Sequence, residues 1–260
     1  LTGRYKSAHV IKKMPGNWKT VMDAFIESFH VENVHPQTAA YSGVEQAQYD
    51  VWPGKRHFSR TLTPVGMPTS SGSYPISDQQ IVDRFIKEYM PGYEHLVGAP
   101  AATLGEGDTP RDVIGRIYTD MLAEQLQVDL SDLDTACAID AVFYSIFPNF
   151  QPWPTLAYPL FYRFRPLDDD PNQCLMDIII LAPFQGERPP SATPVIQEFE
   201  EPLANALGVL GEILDQDCAH IRAIQAGMRA ARDKQLNLAE YQDSRVRHYH
   251  RTLGEYIAAP

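Results

Sequence analysis

Cysteine is nearly absent: Cys137, Cys174 and Cys218 are the only three, widely spaced and odd in number. That excludes a disulfide framework and a cysteine-built zinc cluster. Basic residues are outnumbered, with 22 Lys and Arg against 33 Asp and Glu, a net charge of −11. A role that rests on broad phosphate neutralisation, and with it nucleic-acid binding, is therefore excluded. The roughly 18 consecutive apolar residues of a membrane span are missing too. The best run, residues 178–181, is stopped by Asp177 and Pro183. The opening LTGRYKSAHVIKK has no apolar centre of the kind a secretory signal needs. A reduced, cytoplasmic setting is expected, and a start at Leu1 rather than Met points to sequence missing upstream.

What is present is an ordinary globular composition over 260 residues, 44% hydrophobic and 21% charged, long enough to bury a sizeable core. Residues 1–14 read as a strand that ends at the turn Pro15-Gly16. From Trp18, the steps Val21, Met22, Phe25, Ile26 and Phe29 predict an amphipathic helix, which Pro36 ends or distorts near His35. Residues 45–63 alternate around Pro53-Gly54 and suggest a hairpin. Residues 64–112 are an irregular insert rich in Gly, Pro and Ser, of the kind that forms lids, with a short helix near 77–89. A helix near 110–127 starts on Pro110, and strands are expected at 140–147, 158–165 and 173–182. Residues 198–233 support one long helix whose stripe runs Leu203, Leu207, Leu210, Leu214, Asp217, Ile221, Ile224, Met228. A short helix near 243–257 closes the chain. Sequential strands with a long helix packed on them make an α+β fold.

Two features point to chemistry. The first is Glu27-x-x-His30-x-x-x-x-His35-Pro36. Glu27 and His30 share one face of the expected helix, on the polar side and away from Val21, Phe25 and Phe29. His30 and His35 do not, since five residues rotate a helix by roughly 140°. Both reach one metal only if the helix loosens or stops between them; otherwise they are solvated or hydrogen-bonded histidines at a helix end. The second feature is Asp217, a carboxylate on the apolar stripe. Burial there costs several kcal/mol unless the group is paired or binds a metal. Two histidines and a carboxylate make the facial triad of non-haem Fe(II) oxygenases. Other groups carry less. Asp215 lies off the stripe as a surface residue, and His220 suggests a structural or outer-shell partner. Cys218-Ala219-His220 finds no matching half-motif. His248 and His250 read as solvated, and Arg163 and Arg165 as the wet face of a strand.

Asn17-Trp18-Lys19, Glu27-Ser28-Phe29-His30-Val31, His35-Pro36 and the late segment from Asp217 through Gln225-Ala226-Gly227-Met228 together resemble the Rieske non-haem iron ring-hydroxylating oxygenases. The resemblance spans the chain in order. It implies a catalytic domain over residues 1–260 of the helix-grip type (Bet v1/START-like), an antiparallel sheet around a substrate cavity with a long C-terminal helix. It implies mononuclear Fe(II) held by His30, His35 and Asp217, with Glu27 as the bridge for electrons from a neighbouring subunit's [2Fe-2S] cluster. That cluster's Cys-x-His and Cys-x-x-His ligands are not in these residues, so its domain is expected upstream. The family's usual Asp at the bridging position is Glu27 here, its frequent Asn is Ala24, and its common Tyr is Phe29.

The resulting expectation is an oxygenase that hydroxylates an aromatic or other apolar ring with O2 and electrons from a ferredoxin or reductase. The resemblance further implies a homo-oligomer, a trimer, and allows for a small β subunit; no nucleic acid and no membrane partner are expected. Two rival readings remain. One is a metal-free helix-grip ligand carrier, which has no use for an acid at Asp217. The other is a zinc hydrolase, for which no general base is in place.

Overall fold

The computed structural model describes residues 3–69, 76–156, 159–233 and 235–259. Residues 70–75 of the expected insert and residue 158 at the head of one expected strand lie outside that set. In chain order the elements are β1 (Arg4–Met14), α1 (Trp18–Asp23), α2 (Val31–Val34), β2 (Gln48–Asp50), β3 (Phe58–Thr63), α3 (Asp78–Tyr89), α4 (Pro110–Leu126), α5 (Thr135–Ile139), β4 (Ala141–Ile146), β5 (Phe150–Pro154), β6 (Pro159–Leu167), β7 (Asp170–Pro183), β8 (Val195–Gln197), α6 (Ala204–Leu207), α7 (Val209–Ala230) and α8 (Ser244–Ala258). The strands form one eight-stranded sheet in the order β2-β3-β4-β5-β6-β7-β1-β8. All pairings are antiparallel except that of β1 with β8. The first strand thus lies beside the late β7, so the sheet joins the two halves of the chain. This is the α+β, helix-grip-like arrangement expected.

Period-two alternation decides which sheet face is buried. On β1, Val10 and Met14 enter the main core with Phe164 of β6 and Met176 and Ile178 of β7. Val21 and Met22 of α1, Leu214 and Ile221 of α7, and Val246 and Tyr249 of α8 close over them. Arg163 and Arg165 do lie on the wetter face, as expected, but they are not idle there. With His9 they hold Asp177, at 3.2 Å, 2.7 Å and 2.9 Å respectively. Burial alone would raise the Asp177 pKa; the hydrogen bonds from Arg165, Arg163 and His9 hold it below the usual carboxylate value.

The structure departs from the expected elements in several places. The insert is less irregular than its composition suggests. Val82, Phe85 and Ile86 of α3 pack with Val113, Ile114 and Ile117 of α4 and with Ala138 and Ile139 of α5 in a second core. α3 starts on a capping box of Ser77 and Gln80, α4 on one of Thr109 and Asp112. Next, the long C-terminal helix starts at Val209 rather than near 198. Lys12, buried on β1, donates its ammonium to the carbonyls of Glu198 and Phe199 at 2.9 and 2.8 Å and to that of Glu201, which bends the chain there. Gly208, at φ +57°, then breaks α6 from α7, a conformation that costs glycine little. Finally, the strands β5 and β8, short and rich in proline or flanked by it, carry no alternation signal and were not anticipated.

α7 approaches the 203–204 turn so closely that one position tolerates no side chain. A Cβ on Gly211 would stand 2.4 Å from the backbone of Leu203 and Ala204, whereas one on Gly227, in the same helix, would meet nothing within 4 Å. Gly211→Ala is therefore expected to lower the unfolding free energy by about 1–3 kcal/mol. Gly227→Ala is expected to raise it by up to about 1 kcal/mol. Urea denaturation of both variants checks the contrast; equal effects would refute the close approach.

Candidate metal centre

The helix expected over residues 18–35 ends at Asp23. Asn17 caps it by accepting from the Lys19 N–H at 3.0 Å. Beyond Asp23 the chain tightens: Phe25 N–H bonds Met22 O at 3.0 Å and Ile26 N–H bonds Asp23 O at 3.2 Å, three residues back instead of four. The carbonyl of Ile26, freed from any helix, accepts instead from the Arg245 guanidinium of α8 and from Thr61 Oγ1 of β3. Glu27 Oε2 then accepts the His30 N–H at 3.1 Å, which offers this backbone a partner that a helix would deny it. Phe29, expected on the apolar stripe, is 38% exposed as a result. His30 and His35 flank the four residues of α2, and their ring centroids lie 5.4 Å apart.

Each imidazole spends one ring nitrogen on the protein. His30 Nδ1 lies 2.5 Å from Glu27 Oε1, and His35 Nδ1 lies 2.7 Å from Gln216 Oε1. Gln37 Nε2 donates to the same Gln216 oxygen at 2.8 Å. Both Nδ1 atoms therefore carry the proton, and both Nε2 atoms turn to Asp217. Its Oδ1 stands 3.4 Å from His30 Nε2 and 2.9 Å from His35 Nε2. One donor atom from each of the three residues falls within 4.8 Å of the others. Two ligands about 2.0–2.3 Å from a metal and at right angles lie roughly 3 Å apart, so the two distances from Asp217 Oδ1 suit a carboxylate adjacent to each histidine around one ion. Two neutral imidazoles and one carboxylate are the donor set of a divalent first-row ion with open positions left. Burial alone would lower the His30 pKa, but the Glu27 hydrogen bond and the charges of Glu27 and Asp217 carry it above the ordinary histidine value. A cation between these groups relieves the same crowding of negative charge.

Glu27 does not project to the polar side of a helix, contrary to the expectation from its spacing. It is 8% exposed and turned inward, because no helix exists at residues 24–30 to aim it outward. Asp215 is likewise no plain surface acid: it accepts the N–H groups of Leu203 and Ala204 at 2.8 and 3.1 Å and so caps the start of α6. His220 is exposed on α7 and takes no part in the centre. The outer partner of His35 is Gln216 instead. His248 is buried and His250 pairs with Asp23 at 2.7 Å, so neither is a solvated residue. Cys218 packs its sulfur 3.8 Å from that of Met14 in the core. Gln37 and Gln216 were missed by sequence reasoning; their only signal is adjacency, two residues after His35 and one before Asp217.

The three donors sit at the wall of a cavity of about 160 Å³. Its other walls are mostly apolar and aromatic, with Phe25, Tyr41, Phe143, Trp153, Leu160 and Tyr162 among them. Trp153 stacks on Phe143 at 4.4 Å, which fixes one wall as a flat aromatic surface. The charged residues lining it are confined to one side, Glu27 with the three donors. No helix among the described residues is long and apolar enough to cross a membrane.

No curated protein sequence matches the chain. Among solved structures, a naphthalene 1,2-dioxygenase mutant bound to phenanthrene aligns over 98% of this chain and 55% of its own, at 11% identity and a TM-score of 0.50. A quaternary ammonium Rieske monooxygenase in complex with L-carnitine aligns over 98% of this chain and 49% of its own, at 9% identity and a TM-score of 0.49. A dicamba monooxygenase bound to dicamba covers 98% of this chain and 60% of its own, at 10% identity and a TM-score of 0.45. The chain thus spans half to three fifths of the length of these structures. A family model of the ring-hydroxylating α-subunit catalytic domain matches residues 2–259, and the chain belongs to that family.

Proposed function

We propose that this chain is the catalytic domain of a Rieske-type oxygenase that hydroxylates an aromatic or other apolar ring compound. Catalytic domains of the family bind a mononuclear non-haem iron, with the Rieske [2Fe-2S] cluster in a separate N-terminal domain. The observation that carries the reading is the convergence of His30, His35 and Asp217 at the wall of an aromatic cavity. In this proposal those three residues hold Fe(II), which supplies the activation of O2 next to the ring. The chain's own part is to fix the donors, keep adjacent positions open and exclude water around the substrate. Glu27 and Gln216 orient the two imidazoles by holding their Nδ1–H groups. Electrons are proposed to come from a ferredoxin or reductase through a cluster carried outside these residues, with Glu27, joined to His30, as the bridge. A homo-oligomer, a trimer with or without a small β subunit, and a cytoplasmic setting complete the proposal. A metal-free carrier would use the same cavity but gains nothing from three convergent donors, and no observation favours it.

Metal analysis tests the centre. Prepared anaerobically with Fe(II), the protein is expected to hold close to one iron per chain. Asp217→Ala and His35→Ala are expected to lose it; iron retained in both at the wild-type level would overturn the assignment. Gln216→Leu removes the acceptor for His35 Nδ1–H without touching a donor. Its iron affinity is expected to fall about 10–100-fold, as when other outer partners of metal-bound histidines are removed. Competition with a chelator of known affinity measures this, and an unchanged constant would refute the role of Gln216.

Glu27→Gln keeps an oxygen for His30 Nδ1–H but removes the charge. In the complete subunit it is expected to retain iron and to slow reduction of that iron. Single-turnover rates decide the matter: rates equal to wild type at full iron occupancy would leave Glu27 with the holding role alone.

A further inference from the structure

The inward face of β3 is unusual for a core-facing strand, because it presents three hydroxyls, Ser59, Thr61 and Thr63, all buried. The first two serve Arg245, which is itself fully buried. Arg245 Nε donates to Ser59 Oγ at 3.0 Å and Nη1 donates to Thr61 Oγ1. The third does something else. Thr63 lines the aromatic cavity beside Ser28, and its Oγ1 donates to Ser28 Oγ at 3.1 Å. Ser28 Oγ in turn lies 3.1 Å from Tyr49 Oη. The hydrogen of Thr63 is committed, and no described group donates to its oxygen. That holds whichever of Ser28 and Tyr49 is the donor in their own bond. A buried hydroxyl oxygen with open lone pairs on the cavity wall can accept a hydrogen bond from a ligand there.

The size of the space narrows the ligand. A dry apolar cavity of about 150 Å³ in another protein takes up benzene, and this cavity, at about 160 Å³, is of the same order. No Lys or Arg lines it, so away from the three donors an anionic substituent would be buried without a counter-charge. We propose that Thr63 is a specificity-determining residue that accepts a hydrogen bond from an O–H or N–H substituent of an uncharged, single-ring substrate. The inference rests on the oxygenase reading of the cavity, and it gives that reading a substrate class: phenol-like or aniline-like rings rather than unsubstituted or carboxylated ones. A hydrophobic pocket discriminates weakly against an added hydroxyl, whereas a site built to pair with that hydroxyl discriminates by the loss of the bond.

Calorimetric titration with phenol and with benzene, on the purified protein, reads the proposal directly without turnover. Thr63→Val keeps the shape of the side chain and removes the acceptor. It is expected to weaken phenol binding by about 3- to 10-fold, the worth of one hydrogen bond between neutral groups, and to leave benzene binding unchanged. Thr63→Ser keeps an acceptor and is expected to restore the preference for phenol. Phenol binding unaffected by Thr63→Val, an equal loss for both ligands, or no binding of either ring to the wild type would each overturn the assignment. Iron content, measured on the same samples, separates failure of the subsite from failure of the oxygenase reading. A protein that binds iron but ignores Thr63 loses only the former. One that discriminates at Thr63 but never binds iron loses only the latter.

Discussion

Two hydrogen bonds to imidazole Nδ1 atoms govern the arrangement of the centre. A histidine at rest can present either nitrogen, and the one it presents depends on what holds the other. Glu27 holds His30 and Gln216 holds His35, so both rings offer Nε2 to the same side, where Asp217 waits. The two holders differ in kind. A carboxylate on Nδ1–H makes His30 a stronger electron donor than the neutral amide makes His35. The centre is therefore electronically lopsided before any ligand arrives, since Glu27 adds a second carboxylate beside His30 alone while Asp217 faces both rings.

The constraint explains why the helix after Trp18 stops short. An uninterrupted helix would put His30 and His35 on different faces and would satisfy every backbone group internally. The structure gives up that regularity and recovers the lost bonds from elsewhere: Glu27 takes the His30 N–H, and Thr61 and Arg245 take the Ile26 carbonyl. Arg245 is wholly buried, and the cost of that burial shows in its pKa, pushed down to about 9. Its Cζ lies 4.8 Å from the ring centroid of Phe143, which also lines the cavity. One cation thus supports the metal-side turn, the hydroxyl face of β3 and an aromatic wall together.

Much of this was legible in the sequence where periodicity is strong. β1, β7, α3, α4 and α8 stand close to where alternation, capping residues and Pro110 put them. The two helices that were overextended failed for a shared reason: a tertiary partner competed for their backbone. Lys12 captures the carbonyls around residue 198 from a strand 186 residues away in sequence, and no local pattern encodes that. Among site residues, His30, His35 and Asp217 were legible from spacing and from an acid on an apolar stripe, and the structure sets them side by side. Glu27 was found but aimed the wrong way, because its direction was read from a helix that is not there. Gln37 and Gln216 carry no signal of their own, since a glutamine on a half-buried face is chemically unremarked until the imidazole it holds is in view.

Arg245 also sets an order of events. The turn that carries His30 and His35 is made early, yet its supports come late: Gln216 lies 181 residues beyond His35, and Arg245 lies 219 beyond Ile26. A chain emerging from the ribosome exposes both histidines long before α7 and α8 exist to orient them. Contacts of such separation carry the loop-closure entropy of the whole intervening chain. The groups that hold His35 Nδ1 and the Ile26 carbonyl are therefore among the last parts of the chain to be made.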